Sequence, residues 1–262
     1  MQWQGKTVWI TGASSGIGAA LAVKLAKEGC NLILTARNEE KLIAVANESN
    51  ASKCLVIPAD LSNWQDMSSL VKRAMELTGR IDLLINNAGI SQRGLAHETI
   101  LEVDEKIMNL NFFSTIALTK AVLPIMIKQK VGHLAVVSSI SGLFGFPLRT
   151  AYSASKHALQ GFFESLRPEL KAHQIQVSII SPGRIKTEIS KSAITKDGTV
   201  HGQMDPGQLN GMNVETCANQ IVKGLGKGKK DILVGGKEIL LVYIHRFLPF
   251  LYHRIVGKIK AK

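Results

Sequence analysis

A tyrosine and a lysine four residues apart are the side chains of this sequence best suited to acid–base chemistry. Tyr152 and Lys156, in the segment YSASK, would lie on one face of a helix because side chains at positions i and i+4 are neighbours. A free phenol has a pKa of about 10, and a nearby ammonium group stabilises the phenolate and lowers that pKa. Ser139 stands at the end of a predicted strand, where its hydroxyl is placed to hydrogen-bond a substrate oxygen. Taken alone, the Tyr-Lys pair is equally typical of an exposed helix surface.

A glycine-rich segment, TGASSGIG at 11–18, follows the first predicted strand and leads directly into a helix. Gly12 permits a sharp turn, Gly16 lets backbone amides approach a pyrophosphate, and Gly18 lets the helix pack against the strand. The helix N-terminus adds free N–H groups and a partial positive charge. We therefore expect a dinucleotide in contact with Gly12, Ser14, Ser15, Gly16, Ile17 and Gly18. The spacing is GxxxGxG rather than GxGxxG, and a purely structural turn is the alternative.

The residues that follow the second predicted strand bear on the choice of cofactor. NAD-specific sites usually carry an Asp or Glu there for the ribose 2′-hydroxyl, whereas an arginine matches a 2′-phosphate. This chain has Ala36-Arg37-Asn38 at that point. Arg37 therefore predicts NADP(H), with an ordinary solvated arginine as the alternative.

The elements that must position these residues follow from the hydrophobic pattern. Strands are predicted at 6–11, 31–35, 53–57, 81–86, 133–138, 175–180 and 231–234, and helices at 16–29, 38–48, 63–78, 100–129, 152–172 and 215–225. Strands that are apolar on both faces and separated by helices indicate a parallel sheet covered on both sides. The predicted fold is α/β, a Rossmann-type doubly wound parallel sheet of about seven strands with helices on both faces. We expect it to form a single domain over 1–236, followed by a basic tail at 237–262.

Composition excludes several classes of protein. The 262 residues are 45% hydrophobic and 20% charged, enough for a large core and unlike disordered or collagen-like chains. Three distant cysteines offer no zinc-binding spacing, so we expect no metal and a reducing, cytoplasmic location. The first residues lack a signal-peptide pattern, and secretion is not expected. Of the net charge of +12, +8 lies in 221–262, away from any aromatic stacking platform, which argues against nucleic acid binding.

Seven motifs stand in order over 6–234: TGASSGIG, Asp60-Leu61, Asn86-Asn87-Ala88-Gly89, Asn111, Ser139, YSASK, and Ser181-Pro182-Gly183 with Thr187. In this order they resemble the short-chain dehydrogenase/reductase family in its single-domain form. The resemblance implies that Tyr152 is the general acid/base and that Lys156 lowers its pKa and holds the nicotinamide ribose. It also implies that Ser139 orients the carbonyl and that Asn111 supports a water-linked proton relay.

The same resemblance implies further cofactor contacts. These are Asp60 and Leu61 at the adenine, Asn87, Ala88 and Gly89 at the adenosine side, and Pro182, Gly183, Ile185 and Thr187 at the nicotinamide. Tyr152 and Lys156 also belong to this set. An Asp before a predicted helix is equally a helix cap, and the two roles of Asp60 are compatible.

The substrate is expected between segments 91–93 and 143–148 and a long polar loop, 188–211, which we interpret as a substrate lid. Phe144 and Phe146 would suit a small hydrophobic carbonyl or alcohol, although both are equally typical of a core. Arg93 either receives an acidic group or faces water. The expected activity is NADP(H)-dependent interconversion of a carbonyl and a primary or secondary alcohol by hydride transfer. The alternatives are a non-catalytic NADP(H) sensor and a 3-ketoacyl thioester reductase of the same family.

The tail at 237–262 alternates apolar patches with basic residues. It resembles that of the hydroxysteroid-dehydrogenase-like, membrane-associated branch of the family. We expect peripheral contact with the inner face of a membrane, with Lys and Arg at the headgroups. Packing of the tail on the protein's own dimer is the alternative.

A homodimer or homotetramer is also expected. The predicted helices at 100–129 and 152–172 carry apolar residues on more than one face, and burying them on a second copy would give a two-fold interface. The residues concerned are Phe112, Phe113, Ile116, Leu159, Phe162, Phe163 and Leu166.

Overall fold

The computed structural model describes residues 2–256, which build a seven-stranded sheet with helices on both faces. The strands are β1 (Thr7–Thr11), β2 (Asn31–Thr35), β3 (Cys54–Val56), β4 (Leu83–Asn86), β5 (Gly132–Val137), β6 (Ile175–Pro182) and β7 (Asp231–Val234). They pair in the order β3-β2-β1-β4-β5-β6-β7, and every pair is parallel. The predicted fold class is confirmed. The order reverses between β1 and β4, and the carboxyl ends of such strands form the usual ligand crevice of an open α/β sheet.

The helices are α1 (Gly16–Lys27), α2 (Glu39–Ser49), α3 (Met67–Thr78), α4 (Leu101–Met108), α5 (Ser114–Gln129), α6 (Thr150–Glu169), α7 (Pro206–Leu209), α8 (Val214–Gly226), α9 (Leu240–Phe247) and α10 (Pro249–Val256). Two of them, α2 and α8, begin at a capping asparagine. Asn38 accepts a hydrogen bond from the Lys41 amide at 2.8 Å at the start of α2, and Asn213 does the same for the Glu215 amide at the start of α8.

The sheet separates two hydrophobic clusters, and strand β1 shows why. Val8 and Ile10 point into the cluster formed with α1, α2 and α8, whereas Trp9 points into the cluster formed with α3, α5 and α6. Successive side chains of a strand face opposite sides of the sheet, so a central strand needs apolar side chains on both of its faces. The indole N–H of Trp9 donates to the Thr35 hydroxyl at 2.9 Å. This bond satisfies the one polar atom of the buried Trp9 side chain.

One long helix runs from Leu101 to Gln129 through a π-helical turn at Asn109–Phe113. Within residues 2–256 it is the helix that is long and apolar enough to cross a membrane, with a mean hydropathy of 1.6, and 39% of its most apolar window is buried. Phe113 on this helix is 43% exposed. A core helix or a helix at a subunit interface meets the same criterion as a membrane span.

Three residues expected at the oligomer interface lie in the core instead. Leu159, Phe163 and Leu166 pack in the cluster under the sheet, because this face of α6 covers β5 and β6. Of the other four, Phe113 is exposed, and Phe112, Ile116 and Phe162 are half-buried.

The basic tail forms two short helices, α9 and α10, that pack on the segment after β5. The Tyr252 hydroxyl donates to the Gly145 carbonyl at 2.7 Å, and its ring lies 5.3 Å from that of Phe144. One face of the tail is thus held by the protein's own domain. The last six residues of the predicted tail, 257–262, lie outside the described residues.

Candidate active site

A cavity of about 780 Å³ opens at the carboxyl ends of β1, β4, β5 and β6. Most of the sequence-predicted site residues line it, and they come from seven different segments of the chain. They are Gly12, Ser14, Ser15, Gly16, Ile17, Arg37, Asp60, Leu61, Asn87, Ala88, Gly89, Ser139, Tyr152, Lys156, Pro182, Gly183, Ile185 and Thr187. Gly18 and Asn111 are the two predicted residues that lie behind this lining.

The glycine segment between β1 and α1 forms the cradle predicted for a pyrophosphate. Gly12 and Gly16 adopt φ values of +63° and +55°, a region that side chains with a Cβ rarely occupy. A methyl group at Gly12 would meet the Ala88 backbone at 2.8 Å. A methyl group at Gly18 would strike the Gly12 carbonyl, so Gly18 brings the helix close to the strand without lining the cavity.

Asn87 braces the cradle from the neighbouring strand. Its side-chain amide donates to the carbonyls of Thr11 and Gly12 at 2.9 and 3.1 Å. The Thr11 hydroxyl in turn accepts from the backbone amides of Asn87 and Ala88 at 3.0 and 3.1 Å. The side chain of Asn87 is therefore occupied in joining β1 to β4, and its neighbours Ala88 and Gly89 present backbone to the cavity.

Arg37, Lys41 and Asp60 gather at the adenosine end of the cavity. Asp60 accepts hydrogen bonds from the Ser62 amide and hydroxyl at 3.0 and 2.8 Å, so its local turn-forming role is present. Partial burial raises the pKa of Asp60, but the bonds from Ser62 and the charge of Arg37 outweigh it and leave the pKa below its usual value. Lys41 was not predicted, although its position four residues after Arg37 was visible in the sequence.

The opposite end of the cavity holds Ser139, Tyr152 and Lys156. Burial raises the pKa of Tyr152, and the hydrogen bond with the Ser139 hydroxyl opposes this rise. The Lys156 ammonium is buried, donates to the Val137 carbonyl at 2.8 Å and lies 5.8 Å from the centroid of the Tyr152 ring. Burial lowers the pKa of Lys156 to about 8. Three of the four predicted catalytic residues therefore meet, with a protonated phenol and a cation at neutral pH.

Asn111 lies in the π-helical turn, just behind this group. Its side-chain oxygen accepts from the Ile90 amide at 2.9 Å, and its amide donates to the Ile90 carbonyl and the Ser155 hydroxyl, both at 3.0 Å. A methyl group at Gly89 would lie 3.0 Å from that oxygen and 3.5 Å from Lys156 Nζ. The side chain of Asn111 thus connects the segment after β4 to α6, and π-helical turns of this kind often occur at functional sites.

Four residues of the site were not recognised as partners in the sequence. The side-chain oxygen of Gln92 accepts the backbone amides of Ala151 and Tyr152 at 2.9 and 3.3 Å, which ties the start of α6 to the segment after β4. Arg93 and Arg149 both bind Asp205 of the predicted lid. No local pattern reveals these contacts, because they join residues 56 to 112 positions apart.

The predicted lid, 188–211, is ordered against the cavity. Its two-residue strand Ile194–Thr195 pairs with Gln92–Arg93, and α7 follows it. Of the two phenylalanines expected in the pocket, Phe146 lines the cavity. Phe144 is packed in the core between Ile140 and Tyr252.

Residues 6–198 match the family model described as short chain dehydrogenase. The chain belongs to the short-chain dehydrogenase/reductase family. It is 40% identical to dehydrogenase/reductase SDR family member 7B of Xenopus laevis, over 97% of this chain and 81% of that protein. Membership makes it an NAD(P)-binding oxidoreductase of the dehydrogenase/reductase type.

Two solved structures share the fold of this short-chain dehydrogenase/reductase. A family member from Burkholderia phymatum in complex with NAD has a TM-score of 0.85 and 24% identity and covers 96% of both chains. A second, from Burkholderia cenocepacia in complex with NADP, has a TM-score of 0.82 and 24% identity and covers 98% of this chain and 99% of its own. One of these neighbours holds NAD and the other NADP.

The residues present fit a nicotinamide dinucleotide. The cradle offers backbone without Cβ atoms at Gly12 and Gly16, and the free N–H groups of α1 begin there. The cavity runs from this cradle both to Arg37 and to Tyr152. The adenosine, pyrophosphate and nicotinamide ends of such a molecule would each meet residues of suitable chemistry.

Proposed function

We propose that this protein is an NADP(H)-dependent oxidoreductase that interconverts a carbonyl and an alcohol, with Tyr152 as the general acid/base. One observation carries the proposal: Ser139, Tyr152 and Lys156 line one end of the cavity whose middle is the glycine cradle. A sensor would need the cradle, but it would have no use for an acid–base group at the nicotinamide end.

The reduction needs a proton at the substrate oxygen, and the site supplies it. When bound, the nicotinamide cofactor supplies the hydride equivalent. The phenol of Tyr152 is protonated at neutral pH because burial raises its pKa, so it is ready to donate to a carbonyl oxygen. The Ser139 hydroxyl gives that oxygen a second hydrogen bond. In the reverse reaction the same two groups accept the alcohol proton and hold the oxygen.

Lys156 and Asn111 restore the proton after each turnover. The ammonium of Lys156 lies beside the Tyr152 ring and stabilises the phenolate that remains after donation. Asn111 holds Ile90 and Ser155 in place behind it, and a proton from bulk water would reach Lys156 through a water-linked relay that Asn111 supports. An NADPH-rich cytosol favours the reductive direction.

The preference for NADP(H) rests on the charges at the adenosine end. Arg37 and Lys41 line the cavity, and the residue between β2 and Arg37 is Ala36, which carries no carboxylate. A 2′-phosphate would gain charge-assisted hydrogen bonds from the arginine. A ribose 2′-hydroxyl would find no acidic acceptor at the end of β2.

A hydrophobic substrate is supported by the apolar side chains around the Tyr152 end. Phe146, Leu148 and Ile189 line the cavity there, and apolar walls with few polar groups are typical of small-molecule sites. The carbonyl would lie at Tyr152 and the remainder of the molecule along this wall.

The experiment that tests the function follows NADPH consumption with aldehydes, aromatic diketones, steroid ketones and 3-ketoacyl thioesters, with NADH beside NADPH. Turnover with a preference for NADPH is the expected result, and the best class identifies the substrate. Tight NADPH binding without turnover of any class would favour a sensor. Preference for thioesters alone would favour a ketoacyl thioester reductase.

A membrane surface is the second interaction that the structure supports. The outer face of α9 and α10 exposes large apolar side chains, including Phe247 at 70% and Phe250 at 64%. Arg246 and Arg254 are exposed beside them. Apolar side chains flanked by arginines suit the headgroup boundary of an anionic bilayer, and we propose peripheral binding there.

Self-association is proposed on a different surface. Phe112, Phe113 and Phe162 form a row of rings with centroids 5.3 and 6.2 Å apart, and Phe113 faces outward. A second copy packed on this row would cover the apolar helix Leu101–Gln129 by a two-fold contact. We propose a homodimer, or a homotetramer built from it.

A further inference from the structure

Two arginines and one carboxylate meet at the substrate end of the cavity. Asp205, on the lid, accepts from Arg93 Nε at 3.1 Å and from Arg149 Nη2 at 2.9 Å. The side chains of Arg93, Asp205 and Arg149 are 6%, 12% and 25% exposed. All three residues line the same cavity as Tyr152.

The cluster carries one uncompensated positive charge. Two guanidinium groups face a single carboxylate, and His201, 3.9 Å from Asp205, adds no negative charge. Glu188 also lines the cavity, but its carboxylate pairs with Lys191 at 2.8 Å. A charge held in a partly buried site is costly unless it is paired, so an anion would complete the cluster.

The Arg149 guanidinium keeps most of its hydrogen-bonding capacity for that anion, whereas Arg93 keeps a single N–H, at Nη2. Arg93 uses its Nε, Nη1 and Nη2 on Asp205, Ser91 and the Gln92 carbonyl. Among residues 2–256, the side chain of Arg149 makes one hydrogen bond, from Nη2 to Asp205, and a guanidinium carries five N–H donors. Its free edge therefore remains for a ligand.

Arg149 is also placed to act on the substrate that Tyr152 acts on. It is the residue that precedes α6, three positions before Tyr152, and its charge opposes the rise in the pKa of Tyr152, so its guanidinium lies near the phenol. A group bound by Arg149 would lie within a few bonds of a carbonyl held at Tyr152.

We propose that the substrate carries an anionic group, a carboxylate or a phosphate monoester, that binds Arg149 while its carbonyl lies at Tyr152. This inference rests on the proposed carbonyl–alcohol function and names the substrate class for the same site. Asp205 shows that the two guanidinium groups can hold an anion, because both arginines already bind its carboxylate. The substrate anion binds Arg149 together with Asp205 and neutralises the remaining positive charge of the cluster. Because Asp205 lies on the lid, binding of the anion also holds the lid in place.

Matched substrates separate this proposal from general activity. One pair is a keto acid of about eight carbons and its methyl ester. The other is the phosphate monoester of a keto alcohol of similar length and the free keto alcohol. One of the two pairs carries the same anionic group as the natural substrate. Within that pair, the anionic member should have the higher kcat/KM by about 10- to 100-fold. The two pairs distinguish a carboxylate from a phosphate.

Arg149→Met should remove this preference by raising KM for the anionic member about 10- to 100-fold. Arg149→Lys should restore part of it because the charge returns without the planar fork. Arg73→Met, an exposed arginine on α3, serves as the control and should change neither substrate. Far-UV circular dichroism confirms that the variants are folded.

Two results would overturn the proposal. One is equal kcat/KM for both members of both pairs in the wild type. The other is a loss of kcat in Arg149→Met that is the same for all four substrates and comes with a shifted pH profile, which would mean that Arg149 acts on Tyr152 and not on the substrate.

A binding measurement keeps the proposal testable if no ketone is turned over. Octanoate and octyl phosphate are titrated into the full chain with NADP⁺ present, beside 1-octanol, by calorimetry. The anion site is supported if octanoate or octyl phosphate binds, 1-octanol does not, and Arg149→Met abolishes the binding. This result stands even where the proposed activity fails. Equal binding of all three, or of none, rejects the anion site and leaves the proposed activity to its own assay.

Discussion

The ammonium of Lys156 lies 5.8 Å from the centroid of the Tyr152 ring and donates to the Val137 carbonyl at 2.8 Å. The lysine therefore joins the carboxyl end of β5 to the helix that carries the tyrosine. A pKa lowered to about 8 by burial leaves Lys156 mostly charged at neutral pH. The sheet thus positions the proposed acid–base pair.

Cofactor preference tests the adenosine end of the site. Arg37→Met should raise KM for NADPH about 10- to 100-fold, because a charge-assisted hydrogen bond to the 2′-phosphate is lost. KM for NADH should change little. Steady-state kinetics with both cofactors make the measurement, and Arg73→Met is the matched control. Equal losses with NADPH and NADH would contradict the assignment of Arg37 to the 2′-phosphate.

Self-association should depend on the row of phenylalanines. Phe113→Glu places a charge in the proposed two-fold contact, where burying it without a partner is costly, and should give a monomer at micromolar concentration. Light scattering measures the mass. Leu77→Glu changes a leucine on α3 that is 69% exposed and should leave the oligomer intact. A wild-type protein with the mass of a single chain would refute the interface.

Membrane binding should depend on the outer face of α9 and α10. The double substitution Phe247→Ser and Phe250→Ser should weaken co-sedimentation with anionic liposomes at least about tenfold, because each phenylalanine loses its transfer into the bilayer. Leu77→Ser removes an equally exposed apolar side chain from α3 and should bind like the wild type. Unchanged binding of the double variant would mean that the tail does not contact lipid.

A buried histidine at the other end of the sheet predicts a loss of stability in acid. His133 Nε2 lies 2.8 Å from the Ser178 hydroxyl, which itself donates to the Lys229 carbonyl. Nε2 must therefore be the donor, and Nδ1 lies buried with no partner among the described residues. Burial lowers the pKa of His133 to about 4 from a usual value of 6.5.

The unfolded chain then binds a proton at His133 that the folded protein does not take up between pH 6.5 and 4. Stability should fall as the pH drops below about 6.5, and this loss should reach about 3 kcal/mol by pH 4. Urea unfolding of the wild type and His133→Gln at several pH values measures it. The variant should lose less stability over this range, and His97→Gln, an exposed histidine, should match the wild type. If the stability of the wild type and of both variants had the same pH dependence, His133 would not be the cause of the loss of stability in acid.

Sequence reasoning located residues of the candidate site correctly where their placement depends on a local pattern. The glycine cradle is such a case, since the φ values of Gly12 and Gly16 are set by a turn of a few residues. The Tyr152 and Lys156 pair is another, because helical periodicity alone places both on one face. The alternation of apolar strands with helices likewise fixed the parallel sheet.

Sequence reasoning failed where two residues in contact are distant from each other in the chain. Asp205 reaches Arg93 across 112 positions, and nothing in the polar lid distinguishes it from the neighbouring acidic residues. Apolar composition also did not separate a core residue from a surface one: Phe163 packs under the sheet, and its neighbour Phe162 contacts Phe112 near the surface. These outcomes depend on which face of a helix meets the sheet, which is a property of the whole fold.

The most direct test of the proposed function compares the wild type with Tyr152→Phe on the best substrate of the carbonyl panel. This change removes the proton donor and keeps the ring, so kcat should fall about 10²- to 10⁴-fold while the Kd for NADPH stays within about twofold. Single-turnover oxidation of bound NADPH measures the chemical step. Tyr152→Phe turning over as fast as the wild type would contradict the assignment of Tyr152 as the general acid/base.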